Sequence, residues 1–135
     1  MTNTQLMYFR AARNVSLESD FRRVHIGCVV VNKHRIISTG FNSSQRTHAL
    51  QVELNRKRFS ENSDGMLHAE VSALLPVINK VDLTKATLYI YRENLKGEIA
   101  MCRPCKGCLS LIKACGIKKI YYTTPDGFAE EYLED

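Results

Sequence analysis

The sequence predicts an α/β domain, and three observations predict it. A β-branched apolar run, TLYIY (87–91), a helix-spaced segment and a second run, IKKIYYT (117–123), follow one another in order. Two further runs, HIGCVVV (25–31) and IISTGF (36–41), are separated by four polar residues. Apolar residues recur at helical spacing over 4–13 and again over 67–80. Strand-like and helix-like periods therefore alternate along one chain.

The elements are justified in turn. TQLMYFRAAR (4–13) reads as a helix with Leu6, Phe9 and Ala12 on one side. The pair 25–31 and 36–41, joined through Asn32-Lys33, reads as an antiparallel hairpin. Residues 43–66 are polar and poorly periodic, with QVELNRKRF as a candidate short helix; a loop that long is uncommon without a task. LHAEVSALLPVINK (67–80) returns to helical spacing, with Pro76 kinking or ending the helix because it has no N–H to donate. Residues 92–103 connect the next strand to Pro104 and allow an extra hairpin at Lys96-Gly97. Pro104 is expected to open a helix in its first turn, and Gly116 to end it. Residues 87–123 then form a β–α–β unit with parallel strands. The tail, DGFAEEYLED, reads equally as a last strand or a short helix.

At 135 residues the chain is expected to form a single domain over 1–135 with a real core. Apolar content of 44% and charged content of 24% exclude a disordered chain or a fibre. No apolar stretch approaches a membrane span, and the N-terminus lacks the pattern of a signal peptide. A cytoplasmic protein without a membrane partner is the expectation. In that compartment five cysteines read as thiols or metal ligands, not disulfides. The net charge of +5, with clusters at Arg22-Arg23, Lys33-His34-Arg35, Arg56-Lys57-Arg58 and Lys118-Lys119, suits a solvated surface or attraction to phosphates.

The chemistry lies in two short stretches. CRPCKGC (102–108) holds three cysteines, and Cys105 and Cys108 fall on one face of a helix's first turn. His68 and Glu70 fall at the start of another helix. Both starts bring a soft or borderline ligand to the positive end of a helix dipole, which favours thiolates. Two thiolates and an imidazole make a three-ligand zinc shell with an open fourth position, the catalytic arrangement. Glu70, two residues from a ligand, is placed to reach a bound water without binding the metal, as a general base and acid does. This is the known H-x-E…P-C-x-x-C signature of zinc nucleobase deaminases.

With these motifs the sequence resembles the cytidine deaminase superfamily, and within it the deoxycytidylate deaminase branch. The resemblance runs through GCVVV, IISTGFN, HAEVSAL, TLYIY, PCKGC and GIKKIYY in that order. It implies a three-layer fold with a mixed sheet of about five strands flanked by helices, and Zn2+ held by His68, Cys105 and Cys108. It implies that Glu70 takes a proton from a water whose pKa zinc lowers to about 7, passes it to ring N3, and protonates the leaving amine. Main-chain groups near Ala69 and Pro104 would hold the ring, and the Asn42 amide would contact the sugar. A homo-oligomer is also implied.

Blander readings compete with these. Cys102 as a fourth ligand would make the site a closed structural knot and leave Glu70 without a task. Asn42 also suits a turn at a strand end. Arg46 and His48 lie in the long loop where a wall facing the substrate is expected. Cys28, Cys115 and the strand tyrosines Tyr89, Tyr91, Tyr121 and Tyr122 read as packing.

For substrate, the leading expectation is a small-molecule cytosine nucleotide, dCMP first, with a basic residue of the 43–58 loop on its phosphate. The alternatives are cytosine in single-stranded DNA or RNA, with Arg56-Lys57-Arg58 along the backbone, and a non-catalytic zinc-stabilised binding module. The stretches 43–66 and 92–103 depart from the usual deoxycytidylate deaminase pattern.

Overall fold

The computed structural model describes residues 1–21, 23–44, 48–53 and 67–134. Its elements are α1 (Asn3–Ser16), β1 (His25–Asn32), β2 (Arg35–Phe41), α2 (residues 49–53), α3 (Ala69–Leu74), β3 (Thr87–Glu93), α4 (Lys106–Ala114), β4 (Lys119–Thr124) and β5 (Gly127–Tyr132). The five strands form one mixed sheet in the order β2-β1-β3-β4-β5. β3 and β4 run parallel, and every other neighbouring pair is antiparallel. This is the expected β–α–β unit extended on one side by the hairpin and on the other by the tail.

Strand alternation divides the core into two layers. Val29, Val31, Tyr89, Tyr91 and Tyr121 face α1, which buries Tyr8, Phe9 and Ala12 against them. Cys28, Val30, Leu88, Ile90 and Ile120 face the opposite way, towards Val71, Leu74, Leu111 and Ile112 of α3 and α4. The four strand tyrosines and Cys28 are all buried, as packing requires. Cys115 is the half-buried C-cap of α4.

Local chemistry explains where elements begin and end. Thr2 caps α1 in a reciprocal pair with Gln5, which starts that helix earlier than its apolar spacing suggests. α3 ends at Leu74, two residues before Pro76, and residues 75–80 continue as turns with Asn79 at positive φ. Pro104 stands two positions ahead of its expected place: Cys105 is the N-cap of α4 and Lys106 its first residue, so the proline rigidifies the approach to the helix. At the other end Gly116 has φ 87°, its N–H donates to Lys113 O, and Ile117 N–H donates to Ile112 O. This is a Schellman stop. The connector 94–101 does form the extra turn, closed by a Glu93–Ile99 bridge with Gly97 at φ 79°. The tail forms a strand over Gly127–Tyr132 because these residues pair with β4 throughout.

One glycine sets the distance between sheet and site. A Cβ on Gly40 of β2 would lie 2.3 Å from Ala73 N and 2.7 Å from Ala69 O, both in α3. Gly40→Ala is therefore expected to destabilise the fold by about 1–3 kcal/mol, as overpacking does. It should also lower turnover, because α3 carries the candidate residues at its first turn. Thermal unfolding and a rate assay check both.

Candidate active site

Two helix starts meet beside the sheet. His68 is the N-cap of α3 and Cys105 the N-cap of α4, so both side chains project from the ends where backbone N–H groups are unpaired. His68 Nδ1 lies 3.3 Å from Cys108 Sγ and 3.7 Å from Cys105 Sγ. The ligand atoms of these three residues all lie within 4.8 Å of one another, and they form the candidate metal group among the described residues. Tetrahedral zinc, with bonds of about 2.05 Å to nitrogen and 2.3 Å to sulfur, would place N and S about 3.6 Å apart. The donors fit that ion in type and spacing.

Electrostatics point the same way. The Cys105 thiol is pulled down to about 3, first by a hydrogen bond from the Cys108 thiol and further by His68 and the Cys108 backbone N–H. Cys108 moves up, because its proton is held by Cys105 and it is buried. Protein groups alone thus leave the pair with one negative charge. A divalent cation is what allows both to ionise.

Glu70 is 6% exposed and lies in the first turn of α3. Burial raises its carboxyl above the usual range, and His68 and Cys108 beside it pull it back. Cys102 is excluded from that group. Its Sγ contacts Ile90 O and Thr123 Oγ1, and burial lifts its thiol to about 11. Cys102 therefore lines the same cavity without joining the ligand group.

These residues open into a cavity of about 390 Å³ whose walls include Ala69, Glu70, Asn42, Phe21, Ile26 and Arg92. That size and mixed lining suit a small molecule. Asn42 is buried, and its amide ties down the start of β1: Oδ1 accepts from Ile26 N–H and Nδ2 donates to Val24 O. Pro104 is buried between two lining residues, Arg103 and Cys105. His48 is exposed and stands outside the lining, with Nδ1 accepting Leu50 N–H at the start of α2. Arg46 and Arg56-Lys57-Arg58 lie outside the described residues.

Residues 2–124 match the family described as the cytidine and deoxycytidylate deaminase zinc-binding region. The chain belongs to this deaminase family. A deoxycytidylate deaminase of Mycobacterium phage D29 is 34% identical over 115 residues, covering 77% of this chain and 81% of that protein. The dCMP deaminase of cyanophage S-TIM5, solved in complex with dCMP and dUMP, shares the fold with a TM-score of 0.64 and 24% identity over 92% of this chain and 84% of its own. Cytidine deaminase from Burkholderia pseudomallei does so at 0.65 and 14%, over 98% and 93%. The deaminase is thus a zinc-dependent hydrolase by family, and among the described residues its His/Cys/Cys group is the one that fits the metal. No described helix of the deaminase is long and apolar enough to cross a membrane.

The sequence singled out the ligand group and Glu70 but missed four residues around them. Gln51 is fully buried, and its Oε1 accepts His68 N–H at 3.0 Å. Arg103 and Glu131 form a two-pronged ion pair at 2.8 Å that ties the residue before Pro104 to β5. Arg92 enters the cavity wall from the end of β3. For Arg92 the only signal was a charge closing an apolar strand run.

Proposed function

We propose that the protein hydrolyses the 4-amino group of cytosine in a free nucleotide, dCMP first, giving uracil and ammonia. The observation that carries this reading is the Glu70 carboxyl, buried against the His68/Cys105/Cys108 group inside one cavity. The phage relative's activity supports the choice of nucleotide.

His68, Cys105 and Cys108 would hold zinc, which when bound supplies a Lewis acid that makes water nucleophilic at neutral pH. Glu70 takes a proton from the attacking water and passes it to ring N3, so that C4 accepts the oxygen. The same carboxyl then takes the remaining proton of that water from the C4 oxygen and delivers it to the amine as the C–N bond breaks, leaving the C4 carbonyl and ammonia. Burial suits this double duty, since it raises the carboxyl above the ordinary carboxylate value, in the direction of working pH. The Ala69 and Pro104 main chains flank the ring. The second N–H of Asn42 Nδ2 is left for a sugar hydroxyl. All five cysteines are free thiols, in keeping with work in the reducing cytoplasm. Exposed Phe128 and Tyr132 on β5 offer apolar surface for a homo-oligomer.

Ammonia release from zinc-loaded protein offered cytosine, deoxycytidine, cytidine, dCMP, dCTP, adenosine and an oligodeoxycytidylate tests the reading. Turnover should be greatest with dCMP. Greater turnover of the oligonucleotide would make the enzyme a strand deaminase, and release from none of them would make the domain a binding module.

A further inference from the structure

The deamination chemistry leaves one charge in the cavity wall unused. Arg92, at the end of β3, is half-buried there. Its Nη1 donates to Met101 O at 3.1 Å, and its Nε is buried with no hydrogen-bond partner. Among the described residues no carboxylate lies within ion-pair distance of it. The nearby acids are engaged elsewhere: Glu93 with Arg13 and Tyr91 Oη, Glu98 with Asn94, and Glu131 with Arg103 and Tyr122. Glu70, on the same cavity, has His68, Cys105 and Cys108 as its neighbours.

Arg103, the other guanidinium of this wall, makes a sharp contrast. Two of its nitrogens are satisfied by both oxygens of Glu131. Arg92 alone keeps an uncompensated charge partly withdrawn from water, an arrangement that costs stability unless a ligand brings the opposite charge. The connector holds it in place. Ala100 N–H donates to Arg92 O at 2.9 Å, and Thr123 Oγ1 accepts Arg92 N–H. The 92–103 stretch thus delivers a cation to a pocket that otherwise offers apolar walls and polar groups to a base and sugar.

We propose that Arg92 is the specificity-determining residue that receives the substrate's phosphate, so that the site selects a cytosine mononucleotide over the nucleoside. This rests on the deaminase reading and deepens it. The phosphate contact falls to the end of β3, where the sequence had pointed to the 43–58 loop. Among the described residues of the wall one guanidinium is uncompensated, and one such group matches one phosphate.

The test compares kcat/KM for dCMP and deoxycytidine in zinc-loaded wild-type, Arg92→Met and Arg92→Lys proteins. Charge-assisted hydrogen bonds of this kind are worth about 10- to 100-fold. Arg92→Met should therefore lower the dCMP-to-deoxycytidine ratio by about that factor, and Arg92→Lys should restore part of it. An unchanged ratio, with both substrates affected alike, overturns the assignment. A second measurement needs no variant and no turnover: dCMP should raise the melting temperature of wild-type protein more than deoxycytidine does at equal concentration. Equal shifts overturn the proposal even if Arg92→Met fails to fold. A dCMP-specific shift with no ammonia release would sink the deaminase reading and leave phosphate recognition standing.

Discussion

Replacing Glu70 by glutamine is expected to leave zinc in place and to reduce deamination by about 10²- to 10⁴-fold, the range for removing a positioned general acid–base. The amide keeps the shape and burial of the side chain but cannot carry a proton between water, N3 and the leaving amine. Stability should not fall. Burial raises the Glu70 carboxyl in the folded state, so the group favours folding below its unfolded pKa, and that contribution is lost as pH rises through the raised folded value. Glutamine carries no charge at any pH and so escapes that loss. Metal analysis, a rate assay and a melting curve on one preparation check all three points. Retained activity would remove Glu70 from the mechanism, and loss of metal together with activity would make it a ligand.

Replacing His68, Cys105 or Cys108 by alanine should remove both the metal and much of the stability. An ion present at about a thousand times its dissociation constant stabilises the folded state by about 4 kcal/mol, and this is forfeited when the site cannot bind. The two thiols should respond alike in metal content despite their opposite titration, because a cation needs both as thiolates. Cys102→Ser is the control. Its sulfur contacts Ile90 O and Thr123 Oγ1 instead of the ligand group, so the variant should keep full metal. Loss of zinc from Cys102→Ser, or tight zinc in Cys105→Ala/Cys108→Ala, would overturn the ligand assignment.

Local information explains which parts of the fold could be read from the sequence. The hairpin, α1 and the β3–α4–β4 unit follow from periodicity and turn chemistry that fall within single segments. The end strand did not, because FAEEY is short and only its pairing with β4 decides between strand and helix. The stretch 67–80 looked like one helix, but Pro76 and the turns around Asn79 reduce the helix to Ala69–Leu74. The same contrast holds at the site. His68, Glu70, Cys105 and Cys108 carry their signal in spacing, since each pair occupies one helix turn. Arg92, Arg103, Glu131 and Gln51 acquire meaning only when the connector folds back and distant strands meet, and no short-range pattern encodes that.

Gln51 brings the polar excursion after β2 into the centre of the molecule, where its carbonyl holds the amide of His68. An engineer who wished to retune substrate preference by grafting a foreign loop between Ser43 and Leu67 would have to keep this side chain. A shorter splice that omitted it would deprive the His68 N–H of this acceptor, and poor metal retention in such a chimaera would reflect a lost tether and not a wrong choice of loop.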